Sequence, residues 1–206
     1  MIKTIIFDLS EVLISGLVGI ELSLAQRLQL PAEEILAAFG GEPLKALCCG
    51  ELTEDEYLGQ VLQAQQWPLA PAELKQLIRQ NFHYQIPGTA PLLTTLTSRY
   101  DLILLSDHAQ EWITYIRAVH PTLTLFKAIF FSFELGQTKK NPATFQQVLA
   151  RIGRRAEECI FIDDSLTNIK AAEAVGIAGI QFQSAAQLQQ ELNKRGILNH
   201  GFRTQG

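Results

Sequence analysis

Four short stretches of the chain carry side chains able to do polar chemistry. "IIFDLS" ends an apolar run on Asp8, with Ser10 two positions on. "LILLSDH" ends another on Ser106 and Asp107, followed by His108. "GQTKKNP" holds Lys139 and Lys140, and "IFIDDS" closes a third apolar run on Asp163, Asp164 and Ser165. Each has an ordinary structural use when taken alone. An Asp or Ser after a strand caps the next helix, adjacent lysines make a solvated face, and acids sit well at a helix N-terminus. Taken together, they are a carboxylate nucleophile, a hydroxyl, a cation and an acid pair. Asp8 with Asp163 or Asp164 offers the hard oxygen ligands that suit a divalent cation, Mg²⁺ above all. A cation there offsets the repulsion between Asp8 and an incoming phosphate dianion. Asp8 then attacks phosphorus to give an aspartyl phosphate, while Ser106 and a lysine donate to the phosphate oxygens as charge builds on them.

Such groups must be held at one edge of a rigid scaffold. The runs "KTIIFDL", "DLILLSD", "AIFFSFEL", "ECIFID" and "IAGIQF" read as short strands buried on both faces. Helical stretches alternate with them: "GTAPLLTTLTSR", "AQEWITYIRAV", "NPATFQQVLARIG" and "SLTNIKAAEAVG", the last stopping at Gly176. Alternation of this kind predicts an open, doubly wound α/β sheet, in which ligands bind at the carboxyl ends of the strands. From Gly16 to about residue 87 the pattern is helical only. "IELSLAQRLQL", "PAEEILAAFG", "LTEDEYLGQVLQAQQW" and "APAELKQLIRQNF" each show helical spacing, and Thr53 with Glu56 forms a capping-box pattern. "IPG" at 86–88 marks the return to the sheet. The last stretch, "ILNHGFRTQG", has no pattern and reads as a loose end.

Composition narrows the partners. With 206 residues and 47% hydrophobic content, one domain, or one domain carrying a smaller insert, has material for a sizeable core. A net charge of −4 and no basic face or arm argue against nucleic acid. No apolar run approaches the roughly 18 residues of a membrane span, and the chain opens straight into a strand without a secretory leader pattern. Cys48, Cys49 and Cys159 lack zinc-ligand spacing and read as reduced thiols of a cytoplasmic protein.

With "FDLSEVL", "LLSDHA", "GQTKKNP" and "FIDDSLTNIKAAEAVG" in this order over nearly the whole length, the chain resembles the haloacid dehalogenase superfamily, in its phosphatase-like branch with a helical cap. The resemblance implies a Rossmann-like three-layer α/β/α core from residues 1–15 and 88–200, a cap from 16–87 that closes over the substrate and sets specificity, a tail at 201–206, and Mg²⁺ as cofactor. It places the nucleophile at Asp8 and the phosphate-binding hydroxyl at Ser106, with Asp107 and His108 beside it toward the substrate. The family's third motif is usually Gly-x-x-Lys-Pro. Counting from Gly136 assigns the lysine role to Lys139, with Lys140 in place of the usual proline. Asp164 resembles the direct metal ligand, and Asp163 then acts through a water or by orienting Lys139.

Ser10 departs from the pattern. Family phosphatases usually carry a second Asp there, whose side chain protonates the leaving group and later activates water and whose backbone carbonyl binds the metal. Ser10 keeps the carbonyl but has no acid or base near neutral pH. The expected function is therefore a Mg²⁺-dependent phosphatase of a small phosphorylated metabolite. The alternative is a weakly active or inactive relative that binds a phosphorylated ligand or a partner protein. The "DDS" acid pair argues against dehalogenation, and a receiver domain would have its acid pair early in the chain and no helical insert. His108 and Trp112 are expected to reach toward the cap interface, with His108 either a substrate contact or a surface or cap histidine.

Overall fold

A computed structural model of the chain describes residues 1–198. Five strands, β1 (Thr4–Phe7), β2 (Asp101–Ser106), β3 (Ala128–Phe131), β4 (Cys159–Asp163) and β5 (Ala178–Gln181), form one sheet in the order β3-β2-β1-β4-β5. Every pairing is parallel, with Ile5 opposite Leu102 on one side and Ile160 on the other. The central strands are uninterrupted apolar runs because both faces are covered. Ile5, Phe7, Leu104 and Ile162 face one buried cluster; Ile6, Ile103, Leu105 and Phe161 face the other. Helices α6 (Thr89–Thr97), α7 (Gln110–Val119) and α11 (Ala185–Lys194) supply the first cluster, and α9 (Pro142–Ile152) and α10 (Leu166–Glu173) the second. This is a Rossmann-like three-layer α/β fold.

The strand order creates the crevice that the site needs. The chain leaves β1 toward β2 on one side, and leaves β4 toward β5 on the other. The carboxyl ends of β1 and β4 therefore flank a topological switch point, with Asp8 on one lip and Asp163 and Asp164 on the other.

Between β1 and α6 lie five helices: α1 (Ile20–Leu28), α2 (Ala32–Ala38), α3 (Gly41–Cys48), α4 (Glu54–Gln65) and α5 (Pro71–Asn81). The two chain crossings into this insert run side by side. Ser15 N–H donates to Tyr84 O (2.8 Å), Ile86 N–H to Leu13 O (2.9 Å), and Ile14 bridges Gln85 in antiparallel fashion. Helix α4 starts on the full capping box: Thr53 Oγ1 accepts from Glu56 N–H and the Glu56 carboxylate accepts from Thr53 N–H (2.8 Å). Helix α3 has no counterpart in the sequence reading, because its eight residues begin with Gly41 and carry Pro43, which look like breakers. Pro43 is tolerated because the first helical turn has no partner for its amides.

Two sequence expectations need correction. "AIFFSFEL" reads as one strand, yet β3 stops at Phe131 and Ser132–Leu135 form a single helical turn, α8. Ser132 Oγ there accepts the His108 N–H (3.1 Å), and Phe133 stacks on Phe131 with ring centroids 5.5 Å apart. The closing stretch is not loose from its start. Ile197 and Leu198 are buried, and the Ile197 carbonyl accepts from Tyr100 Oη (3.1 Å). The expected tail at 201–206 and the last two residues assigned to the core lie outside the described residues.

Candidate active site

Asp8 is fixed by the sheet before it does anything else. Its N–H donates to Ile162 O (2.9 Å), and its Oδ1 accepts from Leu9 N–H (2.7 Å). Beyond it the chain turns tightly: Leu13 and Ile14 N–H both return to Leu9 O, and Glu11 takes a left-handed conformation (φ 59°). The Glu11 carboxylate holds the turn by accepting from Gly16 N–H (2.7 Å) and Val18 N–H (3.3 Å). Glycine is required at 16, where a Cβ would lie 2.8 Å from Ser10 Cβ.

Lys139 joins the two lips of the crevice. Its Nζ lies 2.5 Å from Asp8 Oδ1 and 2.7 Å from Asp163 Oδ2, and the side chain is 2% exposed. Lys140, the next residue, is exposed and borders the adjoining cavity. Burial alone would lower the proton affinity of Lys139, but Asp163, Asp8 and Asp107 together raise it above its ordinary value, so the lysine stays charged. Burial pushes the Asp8 carboxyl well up; Lys139 pulls it back and Asp163 pushes it further up. Asp164 is raised by burial and then by Asp163. One carboxylate oxygen from each of Asp8, Asp163 and Asp164 falls within 4.8 Å of the others.

Ser106 ends β2 with its hydroxyl buried and without a hydrogen-bond partner. Asp107 uses both carboxylate oxygens to accept the Lys139 backbone N–H (3.0 and 3.1 Å), which sets the lysine loop against the strand end. His108 is buried and its Nε2 meets Ser10 Oγ at 2.8 Å. Burial, and then the Lys139 charge, push the imidazole down to about 3, so it is neutral near physiological pH. In front of these groups opens a cavity of about 370 Å³, bordered on the site side by Ser10, Asp107, His108 and Asp164, and on the insert side by Leu17, Leu44 and Phe82.

A family model of haloacid dehalogenase-like hydrolases matches residues 2–176. The chain belongs to that family. This haloacid dehalogenase-like hydrolase is 30% identical over 124 residues to the chloroplastic flavin mononucleotide hydrolase 1 of Arabidopsis thaliana, across 60% of this chain and 50% of that one. It is 35% identical over 79 residues to the sesquiterpene phosphatase astK of Aspergillus oryzae, across 38% of this chain and 40% of that one. The chain thus spans half or less of these curated relatives. Its fold is similar to that of a HAD family enzyme of Bacteroides thetaiotaomicron solved with magnesium and inorganic phosphate, with TM-score 0.72, 21% identity, and coverage of 89% of this chain and 96% of that one.

The hydrolase's own donor set fits a small hard cation. Three carboxylates converge within 4.8 Å, and crowding by like charge contributes to the raised proton affinities of Asp8 and Asp164. Sequence reasoning missed two supporting residues. Asn168 Nδ2 donates to both Asp163 oxygens (3.1 and 3.2 Å), which together with Ser165 N–H (2.8 Å) orients that carboxylate. Its place five positions after Asp163, in the first turn of α10, was the available signal. Ser132, which holds the His108 amide, had none, because its run reads as strand.

Proposed function

We propose that the protein is a Mg²⁺-dependent phosphomonoester hydrolase acting through an aspartyl phosphate on Asp8, with the insert at 16–87 as its cap. One observation carries this reading: a buried lysine bonded at once to Asp8 and Asp163, with Asp164 completing an oxygen cluster beside an open cavity. The names of the two relatives, one a flavin mononucleotide hydrolase and one a phosphatase, and the magnesium and phosphate in the similar solved structure, support it.

Asp8, Asp164, the Ser10 carbonyl and, through water, Asp163 would hold the metal, and Asp163 also orients Lys139. Its charge, when bound, allows a phosphate dianion to approach Asp8. Asp8 attacks phosphorus in line with the departing ester oxygen. Ser106, whose hydroxyl has no protein partner, and Lys139 donate to the phosphoryl oxygens. Asp107 positions Lys139 through its backbone amide rather than touching phosphate, which an anion would repel.

Asp8→Asn tests the reading. The carboxamide is nearly isosteric but a poor nucleophile and a weaker metal ligand. Phosphate release over a panel of phosphomonoesters with Mg²⁺ should fall to background in a variant that unfolds as cooperatively as the wild type. Wild-type-like turnover by Asp8→Asn would refute the mechanism.

A further inference from the structure

Resting on the phosphatase reading, we infer that the cavity takes the body of an aryl phosphate, the monophosphate ester of a phenol-type alcohol with one or two fused rings. The walls are the first argument. Phe82, Trp112 and His108 pack edge-to-face, with centroids 5.6 to 5.9 Å apart, and Leu17, Leu44 and Cys48 of the insert add further apolar lining. Thr138 and Lys140 also line the cavity on the lysine-loop side, but the polar atoms of the aromatic wall are already engaged or buried. Trp112 Nε1 donates to Glu54 (2.8 Å), His108 Nε2 is bound to Ser10, and His108 Nδ1 is buried. The Glu11 carboxylate is held by two amides, and Lys45 pairs with Glu42 (3.0 Å) at the exposed rim. A sugar or polyol set against that wall would leave hydroxyls unpaired. An aromatic body instead packs against aromatic side chains, a pairing favoured beyond the area it buries.

Leaving-group chemistry is the second argument. In the first step an Asp8 oxygen bonds to phosphorus as the bond from phosphorus to the ester oxygen breaks, and that oxygen keeps the electron pair. Position 10 offers a hydroxyl hydrogen-bonded to the His108 ring (2.8 Å), and no carboxyl stands there to give the departing oxygen a proton. An aryloxide leaves without that help and takes its proton from water afterwards. Water then attacks phosphorus, the Asp8–phosphorus linkage breaks, and the carboxylate and inorganic phosphate are released. Size is the third argument. At about 370 Å³ the cavity is at the small end of ligand sites, which run from about 300 to 1,000 Å³, so a compact ring system fits and a long conjugate does not.

The test measures kcat/KM of the full chain with Mg²⁺ on 1-naphthyl, hexyl, glycerol 3- and acetyl phosphates. The expected order places naphthyl phosphate at least about a hundredfold above both hexyl and glycerol phosphate, the lower end of what general acid catalysis is worth. Leu44→Asn and Leu17→Asn should each lower the naphthyl-to-acetyl ratio about tenfold, with acetyl phosphate reporting that the site still works. Glycerol or hexyl phosphate turned over as well as naphthyl phosphate would overturn the inference and leave the phosphatase reading standing. Failure to release phosphate from any of the four, acetyl phosphate included, would instead count against the phosphatase reading. Calorimetric titration with 1-naphthylphosphonate and Mg²⁺ then decides the cavity separately. Saturable binding weakened by Leu44→Asn supports it as an aryl phosphate site, and no binding at millimolar ligand overturns it.

Discussion

Lys139 and Lys140 are chemically identical neighbours with opposite surroundings. Lys139 is buried between two carboxylates, while Lys140 faces solvent at the cavity mouth. Lys139→Met keeps most of the volume but removes the buried cation, so kcat/KM for phosphate esters should fall by about 10² to 10³, the usual cost of losing a preorganised donor to a developing anion. Lys140→Met should cost far less, and equal losses in the two variants would move the assignment. At Ser10, the hydroxyl beside His108 marks where a carboxylate would be received, since a neutral imidazole can donate from Nε2. Ser10→Asp should therefore raise alkyl-phosphate turnover more than aryl-phosphate turnover, toward the 10² to 10⁴ that general acid–base catalysis provides. The close contact with Gly16 leaves little room, so Mg²⁺ binding is measured in the same protein. Normal Mg²⁺ binding with an unchanged alkyl-to-aryl ratio would mean that another group supplies the proton.

At the scale of elements, the first turn of α4 anchors the insert in two different ways. Thr53 caps the helix at the surface. Glu54, next to it, is buried and ties three helices together: it pairs with Arg79 and Lys75 of α5, and accepts from Trp112 Nε1 of α7 (2.8 Å). Burial raises the proton affinity of Glu54, but Arg79, Lys75 and Trp112 more than offset it, so the carboxyl stays below the usual range. Thr53→Ala should cost about 1 kcal/mol, the ordinary loss of an N-cap. Glu54→Ala should cost about 3 kcal/mol, because it strands a partly buried guanidinium and an indole N–H. Urea unfolding of the two variants checks this through their midpoints at unchanged slope. A loss at Glu54 no larger than at Thr53 would show that α4 is held to α7 by apolar packing alone.

At the scale of the molecule, the proposed metal site makes a stability prediction, because three mutually repelling carboxylates gathered at the switch point should bind a cation better than the same residues in the unfolded chain. Mg²⁺ at about 100 times its dissociation constant stabilises a folded protein by about 2.7 kcal/mol. For a chain of this size that corresponds to a rise in Tm of about 5 to 10 °C. Asp164→Asn should remove most of the rise, and NaCl at matched ionic strength should not reproduce it. A shift that survives Asp164→Asn would place the cation elsewhere. Among the described residues no helix is long and apolar enough to cross a membrane.

The sequence by itself determined the fold class, because strands buried on both faces must be continuous apolar runs and helices must repeat near every fourth residue. "TIIF", "DLILLS" and "CIFID" show the first, and "QEWITYIRAV" the second. It also placed the polar groups at strand ends, since each apolar run stops where its side chains change. Local pattern failed where the signal was weak or masked: α3 begins among breakers, and "SFEL" follows β3 without a turn signal, so the helix-favouring Glu134 and Leu135 are read as part of the strand. Only the tertiary structure decided which polar groups share a space. Lys139 meets Asp8 across 130 intervening positions because β1 and the loop before α9 converge at one crevice, and Ser10 meets His108 because the first and second strands are sheet neighbours. Such pairings depend on strand order, and strand order is fixed by how the two buried faces pack, which no local stretch of sequence records.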